Sequence, residues 1–247
     1  MPARPEPPSY KAGVLLLSLI CGLIDATCLL ALGGVFAELM TGNVLLLALG
    51  LGSRLITVTW AVSLIGAIIP FVIGAFAAGL ATNGRHTTAA RLIGYPVECA
   101  AVVAATILAL VTTPEVSGLM AEESFFMTHD GSLTPVPHVD ALVIVALLAF
   151  AMGIHNAMMR KHGVPDVATN LLTLTMAALV SDSALAGGQS FHWRRRLLSI
   201  VLFIVGAASG AFLLRFHVAL PLIAASVIFV LALWPLVKGR PEPTVAA

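Results

Sequence analysis

The 247 residues are 59% apolar and 10% charged, with a mean hydropathy of +1.02. Soluble domains carry about 25% charged residues, so a water-soluble fold is excluded. An aromatic share of 6% and long Leu/Val/Ala/Gly-rich segments argue against an alternating transmembrane barrel, and a net charge of +1 gives no reason to expect a nucleic-acid partner.

What remains is an all-α, polytopic helical membrane protein, with residues 1–247 forming a single membrane domain. Residues 12–32 form a first span, too long for a signal-peptide core and therefore read as retained. Residues 40–52 are apolar but short: at helical rise, 13 residues reach about 20 Å against a hydrocarbon core of about 30 Å. After Arg54, residues 57–81 make a full span with Pro70 near its middle. A polar linker with Arg85, His86 and Arg91 leads to a span at 92–113, which carries Tyr95, Pro96 and Glu98 in its first turns. Residues 114–138 form a long acidic loop without lysine or arginine. A span at 139–159 ends on His155 and Asn156; Gly163-Val164-Pro165 then breaks the chain before a short threonine-bearing segment at 167–180. Spans at 197–214 and 218–237 follow.

The order of events in 12–113 thus returns in 139–237. Gly22-Leu23-Ile24-Asp25-Ala26 corresponds to Gly153-Ile154-His155-Asn156-Ala157, so an intramembrane acid answers to an amide. Ile73-Gly74-Ala75-Phe76 likewise resembles Ser209-Gly210-Ala211-Phe212. If all eight apolar segments crossed, the basic loops at 82–91 and 160–162 would lie outside, against the positive-inside rule. If the two short segments turn back, six crossings remain, and only Arg54 and Arg215 of the 13 basic residues fall outside. Three crossings per half then make the repeat an inverted one, with the broken segments entering from opposite faces, an arrangement common among transporters. Both termini are expected in the cytoplasm of a bacterial cell, with the spans in the inner membrane and lipid as the immediate partner.

Asp25-Ala26, Leu30-Ala31-Leu32-Gly33-Gly34-Val35-Phe36, Met40-Thr41-Gly42-Asn43, Ala151-Met152-Gly153, Asn156-Ala157 and Pro165-Asp166-Val167 resemble the YoaK family, bacterial multipass membrane proteins of unknown function. The resemblance covers nearly the whole chain. It implies six inner-membrane spans and supplies no substrate or activity. The chain departs from the family where a Thr-Gly-Thr string is often found in the second half, since Leu174 stands between Thr173 and Thr175.

The candidate solute or ion pathway is built around the first break, where the glycine pair Gly33 and Gly34 interrupts the first helix and a short turn with Glu38 leads to Thr41-Gly42-Asn43. A charged carboxylate in mid-helix costs a few kcal/mol, so Asp25 is expected either to be protonated or to be satisfied by Asn156, Thr41 or Asn43. Thr41, Gly42 and Asn43 open a half-helix whose amides and dipole suit an anion or the polar head of a solute; an N-cap with a packing glycine is the structural alternative. Repeat symmetry extends weaker claims to Asn156, Asn170, Thr173 and Thr175, and Glu98 joins them near a helix end, where it could reach water.

No cofactor and no metal is assigned. Cys21, Asp25 and Cys28 share a helix face with Met40 nearby, but one helix does not easily close a coordination sphere. His129, Asp130, His138 and Asp140 read as a solvated loop, and the three cysteines as buried hydrophobes. The small-residue faces Gly74–Gly79 and Gly206–Gly210 suit close helix packing, within the chain or between copies. No hydrolase, zincin or phosphate-loop motif is present, so an enzyme is not expected. The leading expectation is a small-solute transporter or channel; the alternative is a scaffold, a sensor or a lipid-active membrane enzyme.

Overall fold

The computed structural model describes residues 8–54, 56–85, 87–112, 139–162, 172–188 and 192–238. Eight α-helices occur among them: α1 (Pro8–Ala31), α2 (Met40–Ser53), α3 (Val58–Thr82), α4 (Thr87–Thr112), α5 (Val139–His162), α6 (Leu172–Ser181), α7 (Trp193–Leu214) and α8 (Ala219–Lys238). Six of these, α1, α3, α4, α5, α7 and α8, are long and apolar enough to cross a membrane; α2 and α6, with 14 and 10 residues, are not. The acidic loop, the Gly163-Val164-Pro165 break and Asn170 lie outside the described residues.

Local chemistry sets the ends of the first broken segment. Gly33 and Gly34 have φ of 87° and 67°, a left-handed backbone that a side chain disfavours, so α1 stops there. Arg54 adopts φ 58° and donates its N–H to Leu51 O, closing α2. Thr57 then accepts from Trp60 N at 3.2 Å and starts α3.

Helix directions follow from side-chain meetings. Tyr10, at the start of α1, meets Tyr95 on α4 at 3.2 Å, and Gly13 faces Leu236 at the end of α8. Further along α4, Thr106 meets Ser226 at 2.8 Å, about three helical turns before Leu236 on α8. Hence α4 runs parallel to α1, and α8 runs against both. Gly94 and Glu98 meet Met158 and His155 in reverse order, so α5 is antiparallel to α4. Gly74 against Phe150, and Asn83 bonded to Lys161, make α3 parallel to α5.

It follows that α1 ends and α3 begins on the same side of the bundle. Gly206 and Gly210 of α7 meet Leu19 and Leu23 of α1 in the same order, so α7 runs parallel to α1. The segment carrying α2 therefore enters and leaves by the side where α1 ends, and the segment carrying α6 does the same from the other. Lys11, Arg85, Arg91, Arg160, Lys161, Arg194, Arg195, Arg196 and Lys238 gather at one end, with Arg54 and Arg215 at the other, which is the charge division expected from six crossings.

The halves interlock rather than sit side by side. In the plane of the bundle α1 packs on α7 and α8, α5 packs on α3 and α4, and α4 packs on α8. Both long crossings use glycine pairs. A β-carbon on Gly22 would lie 2.7 Å from Ala207 N, and one on Gly153 would lie 2.9 Å from Ala75 N. Gly206 and Gly74 face the backbones of Leu19 and Phe150 in the same way, so within the repeat Gly74 corresponds to Gly206, one turn before the Gly210 that sequence similarity suggested. These glycines are therefore occupied within the chain. Val62, Ile65, Ile69, Val72, Ile73 and Phe76 of α3 are exposed along one helical stripe, as expected of a lipid-facing surface.

Candidate functional site

Asp25 lies in the last third of α1, 3% exposed. Its Oδ1 accepts from the backbone N–H groups of Ala37 and Glu38, each at 2.9 Å. The glycine pair makes this possible by turning the chain back so that two amides of the break point at the carboxyl. Asn43, fully buried in the first turn of α2, completes the turn: Oδ1 accepts from Phe36 N at 2.8 Å and Nδ2 donates to Phe36 O at 2.7 Å. The break is thus a folded loop clamped at both ends by side chains, and its amides are directed at Asp25.

Next to Asp25 stands a group that the sequence did not single out. Glu38 is 6% exposed, and neither of its carboxyl oxygens has a hydrogen-bond partner. Cys21, one turn before Asp25 on α1, places Sγ 3.8 Å from His155 Nε2 on α5. The other ring nitrogen, Nδ1, pairs with Glu98 Oε1 on α4 at 2.9 Å. A Cys21 sulfur, a Glu38 oxygen and a His155 nitrogen all lie within 4.8 Å of one another. Elements separated by more than a hundred residues thus bring Asp25, Glu38 and Glu98 together with His155 and Cys21, all buried. Asp25 Oδ2 and Glu98 Oε2 also lack partners.

Two sequence-based placements need correction. Glu98 was expected near a helix end and within reach of water, and Arg91 in the linker. The helix α4 begins at Thr87, so both fall inside it and are buried, at 0% and 1% exposure. Glu98 takes His155 as its partner, while the Arg91 guanidinium sits 3.6 Å from the centre of the Tyr10 ring.

The other candidates are arranged differently from Asp25. The Asp25 carboxyl is met by the backbone of the break, not by Asn156, Thr41 or Asn43. Asn156 is half-buried and donates to Met152 O within its own helix at 2.9 Å. Thr41 is exposed, and a β-carbon on Gly42 would lie 2.9 Å from the Phe36 ring, so Gly42 lets the turn close. Thr175 on α6 is buried and Thr173 exposed, while Asn170 lies outside the described residues.

Of these residues, Glu38 is passed over on sequence as a candidate, and Cys21 is weighed only beside Asp25, Cys28 and Met40. His155, beside Arg160 and Lys161, is taken on sequence for interface chemistry, whereas it is fully buried. Signals for all three were nonetheless present. Glu38 is an acid inside the break, between the glycine pair and Thr41, and Cys21 precedes Asp25 by one helical turn. His155 is an ionisable residue within an apolar span, and such residues are uncommon and usually face the bundle interior. A separate apolar groove of about 600 Å³, lined by Val62, Ile69, Pro70, Leu142 and Ala146 among others, opens between α3 and α5 and contains none of these groups.

Apolar spans of membrane length, with a helix broken among them and ionisable side chains buried where it breaks, define a multipass helical membrane protein. The chain belongs to the family described as "Protein of unknown function (DUF1275)", which matches residues 13–234. It is similar to the UPF0700 transmembrane protein YoaK of Bacillus subtilis (strain 168), with 30% identity over 204 residues, 78% of this chain and 80% of that relative. No solved structure matches it.

Proposed function

We propose that this protein is an inner-membrane transporter for a small solute, with the solute or its coupling ion held between the α1–α2 break and α5. One observation carries the reading. The break directs two backbone amides at Asp25 Oδ1, while Asp25 Oδ2 and both oxygens of Glu38 are buried without partners. Partnerless carboxyl oxygens at membrane depth are costly, and a bound cation, proton or polar solute offsets that cost. Further support comes from broken segments that enter from opposite sides, the arrangement in which a site near the midplane can open to each face in turn.

In this reading Asp25, Glu38 and Glu98 form the polar path. Thr41, Gly42 and Asn43 shape its first gate, and Asn156, Asn170, Thr173 and Thr175 belong to the matching segment of the second half. The termini and the basic end of the bundle face the cytoplasm.

Flux into reconstituted vesicles tests the proposal, using a panel of cations, amines and amino acids with and without an imposed proton gradient. At least one solute is expected to accumulate above protein-free vesicles, and Asp25→Asn to slow its uptake by about tenfold or more. No flux across the panel, or Asp25→Asn equal to the parent, would overturn it.

A further inference from the structure

Cys21, Glu38 and His155 come from α1, the break after it, and α5. On sequence, a metal reading of Cys21 had Asp25 and Cys28 of the same helix and the nearby Met40 to draw on; the fold offers instead a donor set from three elements. We propose that these residues form a binding site for a divalent transition metal of the zinc type.

Three features carry the inference. The donors are a thiol, an imidazole and a carboxyl, the mixed N/S/O set that borderline-soft divalent ions take. All three donor atoms lie within 4.8 Å of one another, and the Cys21–His155 pair has the spacing of ligands: tetrahedral bonds of usual zinc–sulfur and zinc–nitrogen length put two such atoms about 3.6 Å apart, and Cys21 Sγ and His155 Nε2 are separated by 3.8 Å. The imidazole is already oriented, because Glu98 Oε1 takes Nδ1 at 2.9 Å and turns Nε2 toward Cys21, as carboxylates behind metal-binding histidines do.

Glu38 supplies the independent sign of a ligand. Its carboxyl is more than nine-tenths buried, belongs to the same donor cluster, and has no hydrogen bond at either oxygen. A thiolate and a carboxylate also balance the two positive charges of such an ion, so the ion and its three donors together carry no net charge and are less costly within a membrane than separate charges. Binding displaces the thiol proton of Cys21, and any proton on Glu38, to solvent while the metal–sulfur and metal–oxygen bonds form; no electron is transferred. Three protein donors leave a tetrahedral ion one further position, which a closed structural site does not.

The inference names a ligand class for the site described under Proposed function and rests on that cluster being a ligand site, not on transport itself. The test uses the purified full chain in detergent, stripped with chelator and then loaded with Zn²⁺ or Co²⁺. Metal retained through gel filtration is expected near one ion per chain, and the Co²⁺ form is expected to show a thiolate-to-metal charge-transfer band. Cys21→Ser should abolish the band. Glu38→Gln and His155→Gln should each weaken binding by more than the about 10–100-fold typical of removing a group behind a ligand, whereas Cys28→Ser and Cys99→Ser should leave it unchanged.

A folded parent chain that retains no metal, or shows no thiolate band, overturns the proposal whatever the variants do. Parental binding by Cys21→Ser overturns it as well. Metal binding without flux would support this site and remove the transport reading, and flux without metal would do the reverse.

Discussion

Gly22 of α1 and Gly206 of α7 face each other's helix backbones at one of the crossings that join the two halves. A β-carbon at Gly22 would lie 2.7 Å from Ala207 N, and one at Gly206 would lie 3.1 Å from Leu19 Cα and closer still to its carbonyl. Contacts of that kind can be relieved only by separating the helices. Gly22→Ala and Gly206→Ala are therefore expected to destabilise the detergent-purified protein by about 1–3 kcal/mol each, the usual cost of overpacking a tight interior. Gly153→Ala should behave alike at the α3–α5 crossing. Gly52→Ala is the control: nothing lies within 4 Å of its β-position, and the change should be neutral or stabilising by up to about 1 kcal/mol. Thermal unfolding midpoints read the difference, and equal midpoints for Gly22→Ala and Gly52→Ala would contradict the packing.

Asn43 holds the turn of the break through Phe36 N–H and C=O. Asn43→Ala leaves both backbone groups without their side-chain partner, at an expected cost of about 1–3 kcal/mol. Because the amides of Ala37 and Glu38 lie in the same loop, the loss should also appear locally. Hydrogen exchange at residues 35–39 is expected to quicken in Asn43→Ala beyond any change in α8, which packs on α1, α4 and α7 and not on α2. Uniform acceleration throughout the chain would mean that Asn43 acts only on global stability.

The direction of each span makes a topological prediction. With the basic end in the cytoplasm, a single cysteine replacing Arg54 or Arg215 should react with an impermeant thiol reagent added to intact cells. Cysteines replacing Arg85 or Arg160 should react only after permeabilisation. All four native residues are exposed at helix ends, so accessibility is not in question. Labelling of residue 54 only after permeabilisation would remove the turned-back first segment, and the candidate site's geometry with it.

Much of this architecture was legible residue by residue. An apolar run of more than twenty residues commits itself to a span, because an unpaired backbone in hydrocarbon is prohibitive and a helix pairs its own groups. A run of 13 is too short for the same reason, and the placement of Arg54 and Arg215 apart from the other basic residues gave the topology. Gly33 and Gly34 could be seen to end α1, and their positive φ angles give the cause. Asp25 stood out because a lone acid in an apolar span needs an explanation, and the fold supplies one in the two amides of the break.

Sequence alone, then, determined what each segment is: its length, its apolar character, where it breaks and which end carries the charge, all properties set by interactions a few residues apart. Which segments meet was decided only by tertiary structure. The partners of Cys21 and Glu98 lie 134 and 57 residues away on α5. Arg91, which looked like a loop cation, finds the Tyr10 ring across the bundle. Asp25 turned to its own break, and Asn156, its counterpart in the repeat, to its own helix. Such pairings depend on which small residues let two backbones approach and on the rotation each helix adopts when its glycines close on a neighbour. Hydropathy along the chain carries no record of either.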